Sequence, residues 1–473
     1  MGVKQFDVIL AGNQLTSLVA AAELARAGLK ICLVNPTPNW GGHFTRLTIQ
    51  GETFDPGAVS HEFTAFNRSG ATNPLEYDSR KRSDVGRFLG LIEAYTRSHL
   101  ELHRMPMPAT VYDGALHEDI VMSNRLGLVK HPRLGSHARK ELCHILAGPP
   151  SDLHARRKKE DILFAKRSYH DVSEANHGAT LHRELFEPMF FKMSNIPSAR
   201  LLALYHRIAW LPLYYPETLA SQFGESPQAL QETYFCYPRA GWIGAFGETL
   251  LEAARSAGAT ILRSDITGAQ GKTGSPTSLR FSDGEEITAP RLVWSLGHES
   301  LLRWAGETTL EPLERWSAML IFAKVPRSKL RRDFGVLYVP DKDVLFYRAC
   351  NQSTCAGSSE EEARLVIEIN PDYAKSLGWD SPEVILPRVL DDLARLGIVE
   401  DAEAVCVVGH RILGKVLLLP SWENWRRLEK ERDVLTSTYP TFVFTRNVES
   451  FFTDTLNDQI IKGLKIAAQF RST

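Results

Sequence analysis

The sequence predicts an α/β fold, and three features near its start carry that prediction. An apolar run from Asp7 to Ala11 reads as a buried parallel strand. Gly12 breaks the run, and a small-residue helix rich in Ala and Leu follows from Leu15 to Ala27, with Gly28 placed to end it. A second apolar strand runs from Lys30 to Val34. Together these make a βαβ unit of roughly 30 residues, the size expected of a dinucleotide-binding start.

The chemistry of such a unit is simple. Unpaired backbone N–H groups and the positive end of the dipole make a helix N-terminus attractive to a pyrophosphate. Glycines let the backbone come close. The usual fingerprint is G-x-G-x-x-G, with an acidic residue about 20 positions on for ribose hydroxyls. Here the glycine positions read Gly12, Gln14 and Ser17, and the acidic position reads Asn35.

The next stretch adds Trp40-Gly41-Gly42-His43-Phe44 and then Phe54-Asp55-Pro56-Gly57. With these elements the chain resembles the flavoprotein superfamily that holds amine oxidases, protoporphyrinogen oxidase, phytoene desaturase and UDP-galactopyranose mutase. The shared pattern is strand, glycine turn, helix, strand, acidic residue, Gly-Gly pair, then a hydrophobic-Asp-x-Gly element. The resemblance implies FAD as cofactor. It also implies a discontinuous Rossmann-like FAD-binding domain, a helical cap and an antiparallel-sheet substrate domain. Gly12, Gln14, Leu15 and Ser17 would surround the pyrophosphate. Asn35 would bond a ribose hydroxyl, less strongly than a carboxylate does. Gly41, Gly42 and His43 would lie near the isoalloxazine.

The rest of the chain follows in order. Asp84–His99 has helical periodicity, and Met105–Val111 contains two prolines and reads as an extended loop. The charge run Ala155–Asp161 reads as an anionic-ligand patch or, more simply, a solvated helix face. Residues 181–219 are rich in aromatics, with helical periodicity over Leu181–Lys192 and Ser198–Trp210. By resemblance this is the cap, and Glu187, Pro188 and Lys192 are similar to a P-x-x-x-K segment of the family. Tyr214 and Tyr215 are candidates to stack on a substrate ring, or else they are core.

Tyr237-Pro238-x-x-Gly241 resembles the element that returns the chain to the FAD domain, ahead of a helix that ends at Gly258. A hairpin follows at Leu279–Phe281 and Glu286–Thr288, then a buried strand at Leu292–Leu296. Strands are expected at Ala318–Val325, Phe334–Val339, Val344–Ala349 and Leu365–Ile369, with a helix at Pro382–Leu396. The segment Phe346-Tyr347-Arg348-x-x-Asn351, with Glu368 further on, is similar to eukaryotic-type UDP-galactopyranose mutases. It makes Arg348 a catalytic and Asn351 a substrate-binding candidate. Thr441–Thr445 reads as a last buried strand. Arg446, Asn457, Asp458 and Gln459 would close the cofactor site at the following helix.

Expected domain pieces are 1–75, 234–309 and 441–473 for FAD, 76–233 for the cap and 310–440 for the substrate sheet. His43 and His61 are candidate acids or bases, since histidine titrates near neutral pH. Arg207, Arg239 and Arg348 are candidates for an anionic substrate group.

Composition narrows the functions. A net charge of −1 with 23% charged residues carries no nucleic-acid signature. No apolar span approaches 20 residues, and no signal-peptide pattern opens the chain. The six cysteines form no C-x-x-C pair, which suits reduced thiols and a cytoplasmic protein. No metal-ligand spacing is evident.

Three functions are consistent with this reading. The first is an FAD-dependent oxidoreductase acting on a small molecule, the flavin accepting a hydride. The second is a mutase-like isomerase of a sugar nucleotide that uses reduced FAD. The third is a cofactor-free binding subunit that kept the fold.

Overall fold

The computed structural model describes residues 3–63, 70–81, 84–117, 131–147, 166–222, 234–307, 311–445, 451 and 455–471. The charge run 155–161 and Arg446 lie outside them. Among the described residues no helix is long and apolar enough to cross a membrane.

The chain opens as β1 (Val8–Ala11), α1 (Leu15–Arg26) and β2 (Ile31–Val34), with every residue of both strands buried. It returns to this sheet with α2 (Ala245–Ser256), β3 (Thr260–Leu262) and β4 (Arg291–Trp294). The large second sheet follows with β5 (Arg315–Pro326), β6 (Val336–Tyr338), β7 (Arg348–Asn351) and β8 (Glu362–Ile369). Then come α3 (Pro382–Arg395), β9 (Cys406–Leu418) and α4 (Trp422–Thr438). The chain closes with β10 (Phe442–Phe444) and α5 (Leu456–Arg471).

The first sheet has the order β3-β2-β1-β4-β10 and every pairing is parallel. Strands buried on both faces need continuous apolar runs, which VILA and ICLV supply. α1 packs against both α2 and α5. A Cβ on Gly463 of α5 would fall 2.6 Å from the Val19 Cβ and 2.8 Å from the Thr16 carbonyl, so only glycine allows that helix crossing.

The second sheet has the order β9-β5-β8-β7-β6, extended by Ala109–Tyr112 and Ala115–His117. Its pairings are antiparallel except the parallel one between β6 and Ala109–Tyr112. The period of two in β5 sets the layers. Met319, Ile321, Ala323 and Val325 join the core under α3, with Ile385, Val389 and Leu393. Leu320 and Phe322 face the opposite way, onto Leu47, Ile49 and Phe54 of the hairpin 47–54. The Asp55–Gly57 turn is thereby laid against the second sheet.

Helices Pro132–Leu146, Tyr169–His177 and Glu187–Ser194 share one core with Tyr214 and Trp316.

Three expectations need correction and a fourth, which holds, gains a detail. Ala109–Tyr112 is a strand, not a loop: Ala109 and Val111 face the core, and the pairing with β6 overrides the nearby prolines. Val344–Ala349 is mostly a turn, because Asp392 holds the Leu345 amide at 2.8 Å, and the strand starts at Arg348. Ser198–Trp210 is two tight 3₁₀ turns, Ser198–Arg200 and Ala203–Ala209, separated where the Leu202 amide bonds the Pro420 carbonyl. Leu181–Lys192 contains a wide π-type turn over His182–Phe186 just before Pro188, whose missing N–H removes an ordinary helical bond.

Candidate cofactor and substrate site

The C-terminal ends of β1, β2, β4 and β10 meet at the glycine turn. Gly12 has φ +116°, and a Cβ there would lie 2.3 Å from the Ser295 Oγ. Glycine is required on both counts. Ser295 donates to the Ala11 carbonyl at 3.0 Å and accepts from the Ser17 hydroxyl at 2.8 Å. The serine at the third glycine position is therefore tied to the strand beyond.

Gln14 sits at the N-cap of α1 in extended conformation and makes no side-chain cap. Its side chain is buried. Gln14 Oε1 accepts from the Thr445 hydroxyl at 3.3 Å, while Nε2 is buried with no hydrogen-bond partner among the described residues. The first amide of α1, Leu15 N–H, is taken at 3.1 Å by Gln459 Oε1 from the start of α5. The Thr16 hydroxyl donates to the Gln459 carbonyl at 3.2 Å. The helix terminus expected to face a phosphate is thus partly capped from within the protein.

The Gly-Gly segment lies on this turn. The Gly41 amide donates to the Asn13 carbonyl at 2.7 Å, and Gly41 and Gly42 have φ of +105° and +60°. His43 follows, half-buried, in the turn Gly42–Phe44. Asn35, at the end of β2, donates its amide to the carbonyls of Thr37 at 2.7 Å and Asn39 at 2.9 Å.

The start of α5 supplies the other side. Asn457 donates to the Glu62 carbonyl at 2.7 Å, and its Oδ1 is buried with no partner among the described residues. Asp458 accepts from the hydroxyls of Tyr77 and Thr455. Burial pushes its carboxyl up to about 6, against the pull of those two hydroxyls.

Asp55 ties three elements together. It accepts from the Tyr237 hydroxyl and, at 2.9 Å, from the Ile243 amide, and its own amide donates to Gln352 Oε1 at 3.2 Å. Burial pushes the Asp55 carboxyl up to about 7, with the Tyr237 and Ile243 bonds opposing.

Arg348 and Glu368 face each other across β7 and β8. The pair is buried and bidentate, with Nε to Oε1 and Nη2 to Oε2 both 2.7 Å. Glu368 also accepts from the Tyr347 hydroxyl at 2.9 Å and from the Ala58 amide at 2.6 Å. The Arg348 guanidinium stands 4.7 Å from the Trp210 ring, and its Nη1 is buried with no partner among the described residues.

The other candidate arginines are also paired with carboxylates. Arg207 bonds Glu62. Arg239 meets Glu101 at 2.8 Å on the surface, far more exposed than a ligand-gripping side chain.

Four further candidates remain. His61 is fully buried between Phe63 and Phe246, with neither ring nitrogen bonded among the described residues. Burial, helped by Arg97, pushes its imidazole down to about 3, which does not suit an acid or base near neutral pH. Tyr214 belongs to the cap core, and its backbone is held by His177 and Asn176, while Tyr215 is half-buried just before Pro216. Asn351 is a helix cap, accepting from the Thr354 amide at 3.1 Å.

Sequence reasoning did not assign roles to Glu368, Glu62, Ser295 or Trp210. Opposite charges on neighbouring strands would have flagged Glu368, given the register.

No protein-family model matches the chain, and no curated protein sequence does. Solved structures match along its whole length. Reduced UDP-galactopyranose mutase aligns with a TM-score of 0.70 over 98% of this chain and 93% of that one, at 14% identity. The chain shares its fold with UDP-galactopyranose mutase and putrescine oxidase. Putrescine oxidase with bound putrescine aligns over 100% of both chains, with a TM-score of 0.58 and 14% identity. An oxidoreductase from Methanosarcina mazei covers 99% of this chain and 100% of its own, with a TM-score of 0.60 and 13% identity.

Proposed function

We propose that this protein is an FAD-dependent oxidoreductase acting on a small molecule that carries no diphosphate. The observation that carries the cofactor is Gln14. A buried amide donor with no acceptor costs roughly 1–3 kcal/mol. A pyrophosphate oxygen at the α1 N-terminus would satisfy Gln14 Nε2, as the missing glycine cannot. Gly12, Gln14, Gly41 and Gly42 would hold the phosphates, Asn35 Oδ1 the ribose, and Asn457 at the start of α5 the flavin end. When bound, FAD supplies reversible acceptance of a hydride.

The chain's own residues set the substrate class. Arg348, Arg207 and Arg239 each face a carboxylate, so they offer no excess positive charge for a diphosphate. The Arg348 Nη1 amino group keeps its N–H donors for carbonyl or hydroxyl oxygens of a ligand. Trp210, Tyr338 and Tyr347 exclude water around it. Asp458 can carry a proton on the acid side of neutrality.

The mutase reading draws support from the likeness to reduced UDP-galactopyranose mutase. It requires Glu368 or Glu62 to release its arginine to a UDP-sugar.

The test is the visible spectrum of the purified protein, before and after excess FAD and gel filtration. A retained flavin band supports the proposal. A UDP-sugar that binds the reduced protein tightly shifts it to the mutase. A colourless protein whose melting temperature ignores FAD leaves the cofactor-free binding subunit.

A further inference from the structure

The cap holds a second cluster, on elements the cofactor site does not use. His170 lies in the first turn of helix 169–177, His182 opens the wide turn 182–186, and Glu187 opens helix 187–194. One ligand atom from each lies within 4.8 Å of the others. His182 Nε2 is 3.5 Å from Glu187 Oε2, and the two imidazoles meet edge to face at 4.6 Å between centroids.

The wide turn builds the cluster. In an α-helix, residues five apart point about 140° away from each other. The extra residue in this turn swings Glu187 back over His182.

Hydrogen bonds behind the cluster orient it. His177 Nε2 accepts from the Tyr214 amide at 2.8 Å, so its Nδ1 carries the proton and donates to the Ser173 Oγ at 3.0 Å. His182 Nδ1 stands 2.9 Å from the same oxygen. With Nδ1 of His182 held by Ser173, Nε2 is the ring nitrogen turned towards the Glu187 carboxylate and, at 3.4 Å, the Ser198 Oγ. The arrangement is that of a metal-bound histidine steadied by a partner on its other nitrogen. Glu187 is held likewise by the Ser198 amide at 3.2 Å and by the Ser198 hydroxyl.

We propose that His170, His182 and Glu187 bind a divalent transition cation of the zinc class. Two imidazoles and one carboxylate suit such an ion and leave a fourth position for water. The side chains of His170 and Glu187 are 41% and 30% exposed, so the ion enters from solvent, while His182 at 2% anchors it in the cap. The bound ion pins helix 169–177 to the wide turn.

The test uses the full chain, stripped with chelator and titrated with Zn²⁺ by calorimetry and with Co²⁺ by visible absorption. One equivalent should bind, with a cobalt band and a melting temperature raised by a few degrees. His170→Ala and Glu187→Gln, both at the exposed rim, should keep the metal-free melting temperature and weaken binding about a hundredfold. Absence of a stoichiometric site, or one that survives both substitutions with unchanged affinity, overturns the proposal.

Discussion

Gln459 Oε1 accepts the Leu15 amide at 3.1 Å, joining the first turns of the first and last helices across 444 residues of sequence. The bond does for α1 what a capping residue normally does, since Gln14 makes no side-chain cap of its own. Gln459→Ala should therefore cost about 1 kcal/mol and lower the melting temperature by a few degrees, without changing the far-ultraviolet spectrum. A variant as stable as the parent would show that water caps the helix equally well.

Gln14 tests the cofactor site directly. If its buried amide donates to a pyrophosphate, Gln14→Leu keeps the volume and removes the donor. FAD affinity, followed by flavin fluorescence during titration, should fall roughly tenfold or more. Gln14→Glu should fall further, because a carboxylate repels the phosphates. Tighter binding by the leucine variant would mean that the amide obstructs the ligand.

The Arg348–Glu368 pair should be far more sensitive to loss of one partner than of both. Glu368→Gln leaves a buried guanidinium uncompensated and should cost about 3–5 kcal/mol in a denaturant melt. The double variant Arg348→Met with Glu368→Leu should recover most of that loss. Equal effects from the single and double variants would contradict the pairing.

Two buried groups give opposite pH dependence. Asp55 is raised to about 7 when folded, so the folded state binds the extra proton between about pH 4 and 7. Its contribution is full below about pH 4 and is lost as pH rises through 7. Lys192, whose ammonium reaches the carbonyls of Val339 and Asp341 at 2.7 and 2.8 Å, is pushed by burial down to about 7. Its contribution is full above its usual value near 10 and is lost as pH falls through 7. The stability difference between the parent and Asp55→Asn should shrink from pH 4 to 7, and that between the parent and Lys192→Met should grow from pH 7 to 10. Flat differences in thermal melts would refute both assignments.

What the sequence made legible was local. The strands around Gly12 and the helix after it follow from apolar runs and one break. The Gly-Gly element lies on the glycine turn, and the hairpin before the Asp-x-Gly element packs on the second sheet. What stayed hidden depends on register and on tertiary ties. The partner of Arg348 is fixed by the pairing of β7 with β8, which no spacing announces. Asn351 reads as a ligand in a motif, but the chain turns into a short helix that needs its cap. α4 was missed because its strongly charged sequence hides a narrow stripe of Asn424, Leu428, Glu431 and Leu435, buried from a helix of 17 residues. His182 and Glu187 look unrelated at a spacing of five until the helix widens between them.

The parallel sheet also sets a timetable for synthesis. β4 gains its outer neighbour only when β10 is made, so Trp294 presents an open edge throughout translation of the second sheet. At about 5–20 residues per second, roughly 7 to 30 seconds separate the emergence of Trp294 from that of Phe442. During that interval the nascent chain carries an apolar, unpaired strand, the kind of edge to which other chains add. The protein is therefore expected to lean on chaperones while on the ribosome, and a stop codon before Phe442 should yield aggregate rather than a smaller folded product.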